Sequence, residues 1–118
     1  MDRKKELKSL YKQMKPQMGI FIIRSKSNNK CHIEATQDIK GTMNSTKFKL
    51  SAGIHPYREL QKEWTDLGEE NFISEILDTL EYSKDDSKTD YTEDLDMLKT
   101  MWKEKLTGQG LQFYNKKA

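Results

Sequence analysis

Four consecutive residues, Ile20-Phe21-Ile22-Ile23, constrain this chain more than any other stretch. They are β-branched or aromatic, and a run this short reads as a central strand buried on both faces rather than a helix. The strand is predicted over 18–25. Ser27-Asn28-Asn29-Lys30 follows, and asparagine tolerates the backbone angles of a tight turn. Residues 30–35 then return as a second strand. A connection this short permits only antiparallel pairing, so Met18–Thr36 is a β-hairpin.

The other segments arrange themselves around that hairpin. Leu7, Leu10, Tyr11 and Met14 form one apolar helical stripe, which ends at Lys15 because Pro16 disfavours helix in the residue before it. Residues 37–50 have helical spacing at Ile39, Met43 and Leu50, with Thr36 or Asp38 as cap. Gly41 costs that segment about 1 kcal/mol, so a short, poor helix is expected, running into a loop through 51–55. A firmer helix is predicted over 56–67. Pro56 is placed in its first turn, Tyr57, Leu60, Trp64 and Leu67 on its buried stripe, and Gly68 in a left-handed cap. A third strand over 71–80 buries Phe72, Ile73, Ile76 and Leu77. The acidic stretch 81–92 reads as a loop, and Leu95, Leu98, Trp102 and Leu106 mark a last helix over 93–106.

These elements predict an α+β fold, a small three-stranded antiparallel sheet flanked by helices, with an extra N-terminal helix. The expected organisation is an N-terminal amphipathic helix over 1–17, a domain over 18–107 and an irregular tail over 108–118. At 118 residues the chain is one domain's worth.

Composition narrows the function. Hydrophobic and charged residues each make up 34%, and no apolar run approaches the roughly 18 residues that span a bilayer. The first ten residues have no apolar core of a signal peptide, so a soluble cytoplasmic protein is expected. Cys31 is the single cysteine, which excludes an internal disulfide, and with His32 and His55 the only histidines a Cys/His metal cluster is not expected. Cys31 itself reads as a small core residue, and Trp64 and Trp102 as helix core. Residues 85–96 lack the spacing of a calcium loop.

Charge is unevenly spread. Residues 1–50 carry 12 Lys/Arg against 4 Asp/Glu, whereas 51–118 carry 9 against 15. The plain reading is two solvated faces of opposite sign; the sharper one is a polyanion-binding half. Lys26, Lys30, Lys40 and Lys47, with Lys49, are the candidate phosphate contacts.

Gly19-Ile20-Phe21 ends one side of the hairpin's signature and His32-Ile33-Glu34 the other. Arg58-Glu59-Leu60-Gln61-Lys62-Glu63-Trp64, then Gly68-Glu69-Glu70-Asn71-Phe72 and Glu75-Ile76-Leu77, follow in order. Together these resemble the GIY-YIG nuclease family, which includes homing endonucleases, excision-repair incision subunits and many small bacterial proteins. The resemblance covers about residues 18–107. It implies a three-stranded antiparallel core and an active face whose usual residues are replaced. By the family's pattern, Phe21 stands in place of a tyrosine that prepares the attacking water. His32 replaces a second tyrosine, Glu34 a glycine, Thr42 an arginine, Thr46 a histidine or tyrosine, and Thr100 a metal-binding glutamate.

Phosphodiester hydrolysis needs a metal, a base and a cation for the developing charge. A single base contributes about 10²–10⁴-fold. The resemblance therefore implies a catalytically inactive domain with no cofactor, acting as a nucleic-acid or protein binding module. A protein partner would dock on the N-terminal helix. The alternative is a divergent endonuclease dependent on Mg²⁺ or Mn²⁺. It would use His32 and Glu34, which at i and i+2 point to one face of a strand. The plainer account of that pair is a partly exposed polar couple. His55, before Pro56, is expected to steady the loop entering its helix.

Overall fold

The computed structural model describes residues 15–116. The hairpin forms as expected: β1 is Met18–Ser25 and β2 is Lys30–Thr36, antiparallel, with Phe21 opposite Glu34 and Ile23 opposite His32. Helix α1 (Ile39–Ala52) and helix α2 (Arg58–Leu67) follow, then a short 3₁₀ turn, Glu69–Asn71. Strand β3 (Phe72–Leu80), helix α3 (Thr92–Gly108) and strand β4 (Gln112–Phe113) complete the chain.

Strand β1 is central, with alternate residues facing opposite layers. Phe21 and Ile23 pack on Ile39 and Leu50 of α1, Leu60 and Trp64 of α2, Phe72 and Tyr114. Ile20 and Ile22 pack with Cys31 and Ile33 against Leu106 and Leu111, with Leu98 and Trp102 of α3 alongside. The continuous apolar run is thus the signature of a strand covered on both sides. Met18, Tyr91 and Leu95 close one end.

The sheet is four-stranded and mixed, not three-stranded and antiparallel. Its order is β3-β1-β2-β4, with β3 antiparallel to β1 and β4 parallel to β2. The added strand comes from the tail expected to be irregular. Gly110, at φ 87°, redirects the chain after α3. Gln112 N–H then donates to the Asn29 carbonyl (2.8 Å) and Tyr114 N–H to that of Cys31 (3.0 Å). Tyr114 is buried, and its hydroxyl donates to Glu63 Oε2. Two paired residues are too few to leave an alternating pattern in a sequence.

Helix α1 is regular over 14 residues rather than short and poor. Asp38 is its cap: Oδ1 accepts the Gly41 N–H at 3.0 Å. A Cβ on Gly41 would lie 2.2 Å from Asp38 Oδ2, so the glycine that looks like a defect makes room for the cap. Helix α2 starts two residues later than expected, leaving Pro56 in the preceding turn. Gly68 has a positive φ of 85°, but its ψ of 160° is extended, not the left-handed cap. Leu67, Ile73 and Ile76, expected in the core, are exposed. The last two lie on β3, an edge strand that the helices cover only in part. A bulge where Ile20 pairs with Asp78 and Phe21 with Ile76 leaves Leu77 as the extra residue. The helix expected over 1–17 lies outside the described residues except for 15–17, which are not helical.

No described helix is long and apolar enough to cross a membrane.

Candidate functional site

Strand alternation points His32, Glu34 and Thr36 to the same layer as Phe21 and Ile23, beneath α1 and the loop into α2. His32 is 3% exposed. Its ring meets Tyr57 edge-on at 4.4 Å and His55 at 5.4 Å between centroids. Its Nε2 lies 3.1 Å from Glu34 Oε1, yet the approach is not aligned for a hydrogen bond. Nε2 is thereby a buried polar atom without a hydrogen-bond partner.

Glu34 is held from the other side. Thr46 Oγ1 donates to its Oε2 at 3.0 Å, and one step along, the Thr36 and Thr42 hydroxyls bond each other at 2.7 Å. Burial would push the Glu34 carboxyl up, but its contacts with His32 and the Thr46 hydroxyl outweigh that and hold it below its usual range. Glu34 is therefore an anion at neutral pH.

His55 is also buried. Its N–H donates to Gln61 Oε1 at 3.0 Å, and Gln61 Nε2 ties back to the Leu50 carbonyl at 2.9 Å, linking this loop to both helices. Its Nδ1 accepts the Tyr57 N–H at 3.1 Å. That is the loop-steadying role expected of it. Burial, then the nearby His32, drive its pKa from 6.5 down to about 4. The ring is neutral at pH 7, with its proton on Nε2 because Nδ1 is the acceptor. One ligand atom each from His32, Glu34 and His55 falls within 4.8 Å of the others.

The structure thus gathers Phe21, His32, Glu34, Thr42 and Thr46 into one region. Phe21 is fully buried in a cluster of aliphatic and aromatic side chains, so its ring seals this layer rather than lining a wet face. Thr100 is elsewhere: it lies on α3, whose apolar residues pack on the opposite face of the sheet, and its exposed hydroxyl donates to the Asp96 carbonyl of its own helix. A neutral hydroxyl bonded to its own backbone does not fit a divalent cation, so no metal chemistry can be derived at that position. His55 is the member that sequence spacing missed. It lies 23 positions from His32, and its place before Pro56 pointed to a loop-steadying role rather than to the strand pair.

The lysines divide. Lys30 pairs with Glu59 at 2.9 Å, and the bond to Lys30 holds the Glu59 carboxyl low. Lys26 and Lys40 are exposed and Lys47 is half-buried, and none of the three makes an ion pair with a described residue. Cys31 sits in the opposite layer, where burial pushes its thiol up to about 11.

No protein-family model matches the chain, and no curated protein matches its sequence. Solved structures do match. A mutant of the catalytic domain of the intron endonuclease I-TevI superposes with a TM-score of 0.65 at 21% identity, over 84% of this chain and 92% of that one. The catalytic domain of the homing endonuclease I-TevI gives 0.65 at 22%, over 83% and 96%. The fold is GIY-YIG-like.

Proposed function

We propose that this domain is a nucleic-acid-binding module on a GIY-YIG-like fold that does not hydrolyse phosphodiesters. One observation carries the reading: the layer holding Phe21 and Glu34 is closed by its own contacts. Phe21 is core, the Thr42 and Thr46 hydroxyls are bonded to Thr36 and Glu34, and Glu34 adds a negative charge facing any incoming phosphate. The Phe21 position offers no hydroxyl for an attacking water, and the Thr42 and Thr46 hydroxyls are already engaged.

Binding without cutting draws on the basic half of the chain. Lys40 and Lys47, seven apart, share a face of α1, and Lys26 projects from the β1–β2 turn. Each phosphate neutralised on duplex DNA contributes about −0.9 to the slope of log K against log salt. Binding of a fluorescent duplex should therefore weaken with salt at a slope of about −3 if these three lysines make the contacts. Binding that is absent or indifferent to salt overturns the proposal and favours a protein partner.

A second reading, a divergent metal-dependent endonuclease, is favoured by the convergence of His32, Glu34 and His55. Plasmid nicking in Mg²⁺ or Mn²⁺, lost in His32→Ala, would establish it in place of the first.

A further inference from the structure

We infer that His32, Glu34 and His55 form a binding site for one borderline divalent metal ion, of the Zn²⁺ class. Two imidazoles and a carboxylate are a donor set suited to such ions, with the remaining positions left to water. In a tetrahedral site with bonds of about 2.0–2.2 Å, neighbouring donor atoms lie about 3.3–3.5 Å apart. His32 Nε2 and Glu34 Oε1 already stand at 3.1 Å, and the widest pair in the cluster is within 4.8 Å. The site needs only the third donor to move inward by up to about 1.5 Å.

A second observation points the same way. His32 Nε2 is the one buried side-chain nitrogen or oxygen among the described residues that lacks a hydrogen-bond partner, and it faces this cluster. An ion coordinated there would satisfy it. Glu34 arrives already oriented, since Thr46 holds its other oxygen; such outer contacts are what fix metal-ligating carboxylates. Recruiting His55 has a structural consequence. Its Nδ1 accepts the Tyr57 N–H, so ligation requires that the ring give up this bond, either to free Nδ1 or to move the proton there and free Nε2. Metal binding must therefore perturb the Tyr57 amide. The inference is independent of whether the domain cuts nucleic acid, because the readout is the ion itself.

The test uses the full chain, stripped with chelator and titrated with Zn²⁺ alone and Co²⁺ alone. One ion per chain is expected. The visible Co²⁺ spectrum should be of the nitrogen–oxygen type, both histidine rings should show metal-dependent ¹⁵N shifts, and the Tyr57 amide should move. The chain has only two histidines, so the ring signals are unambiguous. Glu34→Gln keeps the side-chain shape and an acceptor for Thr46, and should weaken binding at least tenfold while the apo spectrum stays folded. Thr46→Val should weaken it less. No binding, binding unchanged in a folded Glu34→Gln, or an ion that leaves the histidine signals unmoved would each overturn the inference.

Discussion

Gly19 opens the hairpin signature, and replacing it with alanine probes the packing of β1 against β3 directly. An added Cβ would lie 2.1 Å from the Asp78 carbonyl oxygen, 2.7 Å from the Thr79 Cα and 2.9 Å from the Asp78 carbonyl carbon, all backbone. Non-bonded heavy atoms settle near 3.5 Å, so the strands must part by about 1.4 Å at this point. Gly19 pairs with Thr79, and parting them weakens the ladder there. Two lost backbone hydrogen bonds cost about 1 kcal/mol each. Holding alanine at a φ of +154° adds about 1–3 kcal/mol of strain. The expected destabilisation of Gly19→Ala is about 3–5 kcal/mol, read by urea unfolding followed by circular dichroism. With m near about 1.5 kcal/mol/M, the midpoint falls by about 2–3 M. Gly108→Ala is the control. It lies in α3 with open space at its Cβ and should stabilise by about 0.5–1 kcal/mol. A Gly19→Ala protein within about 1 kcal/mol of the parent, with the control behaving as stated, would refute the close approach at Asp78.

Other outcomes follow from the same contacts. Native Cys31, fully buried with its thiol pushed up to about 11, should resist thiol reagents at pH 8 and react fully in denaturant. Because the unfolded thiol ionises first, stability should be intact below about pH 8.5 and fall as pH rises toward 11, a slope that Cys31→Ala makes shallower. Tyr114→Ala should cost about 3–5 kcal/mol in denaturant unfolding, since it empties a core position and unpins β4. Trp102→Phe should cost about 1 kcal/mol by the same measurement, leaving Asp78 Oδ2 without its indole donor. In duplex binding, Lys40→Gln and Lys47→Gln should each reduce the salt slope by about 0.9, whereas Lys30→Gln should leave it unchanged, because Lys30 is held by Glu59.

Local chemistry made much of this molecule legible in advance. The apolar run at Ile20–Ile23 and the asparagine turn define the hairpin, Asp38 caps α1, and the spacing of Leu60 and Trp64 or Leu95 and Leu106 defines helices with buried faces. Those signals survive because they depend on neighbours within a turn of helix or a step of strand. Where burial depended on distant cover, the sequence misled. Ile73 and Ile76 look like core residues but sit on an edge strand.

By itself, then, the sequence determined the central hairpin, the order of the helices and the pairing of His32 with Glu34 on one strand face. Only tertiary structure decided what that pair faces. Folding α1 over β2 brought Thr46 to Glu34, and the loop anchored through Gln61 brought His55 to His32. The same folding laid the tail beside β2 as a fourth strand and put Thr100 beyond the opposite face. These are contacts between residues many positions apart. They depend on how layers stack, which no local periodicity encodes.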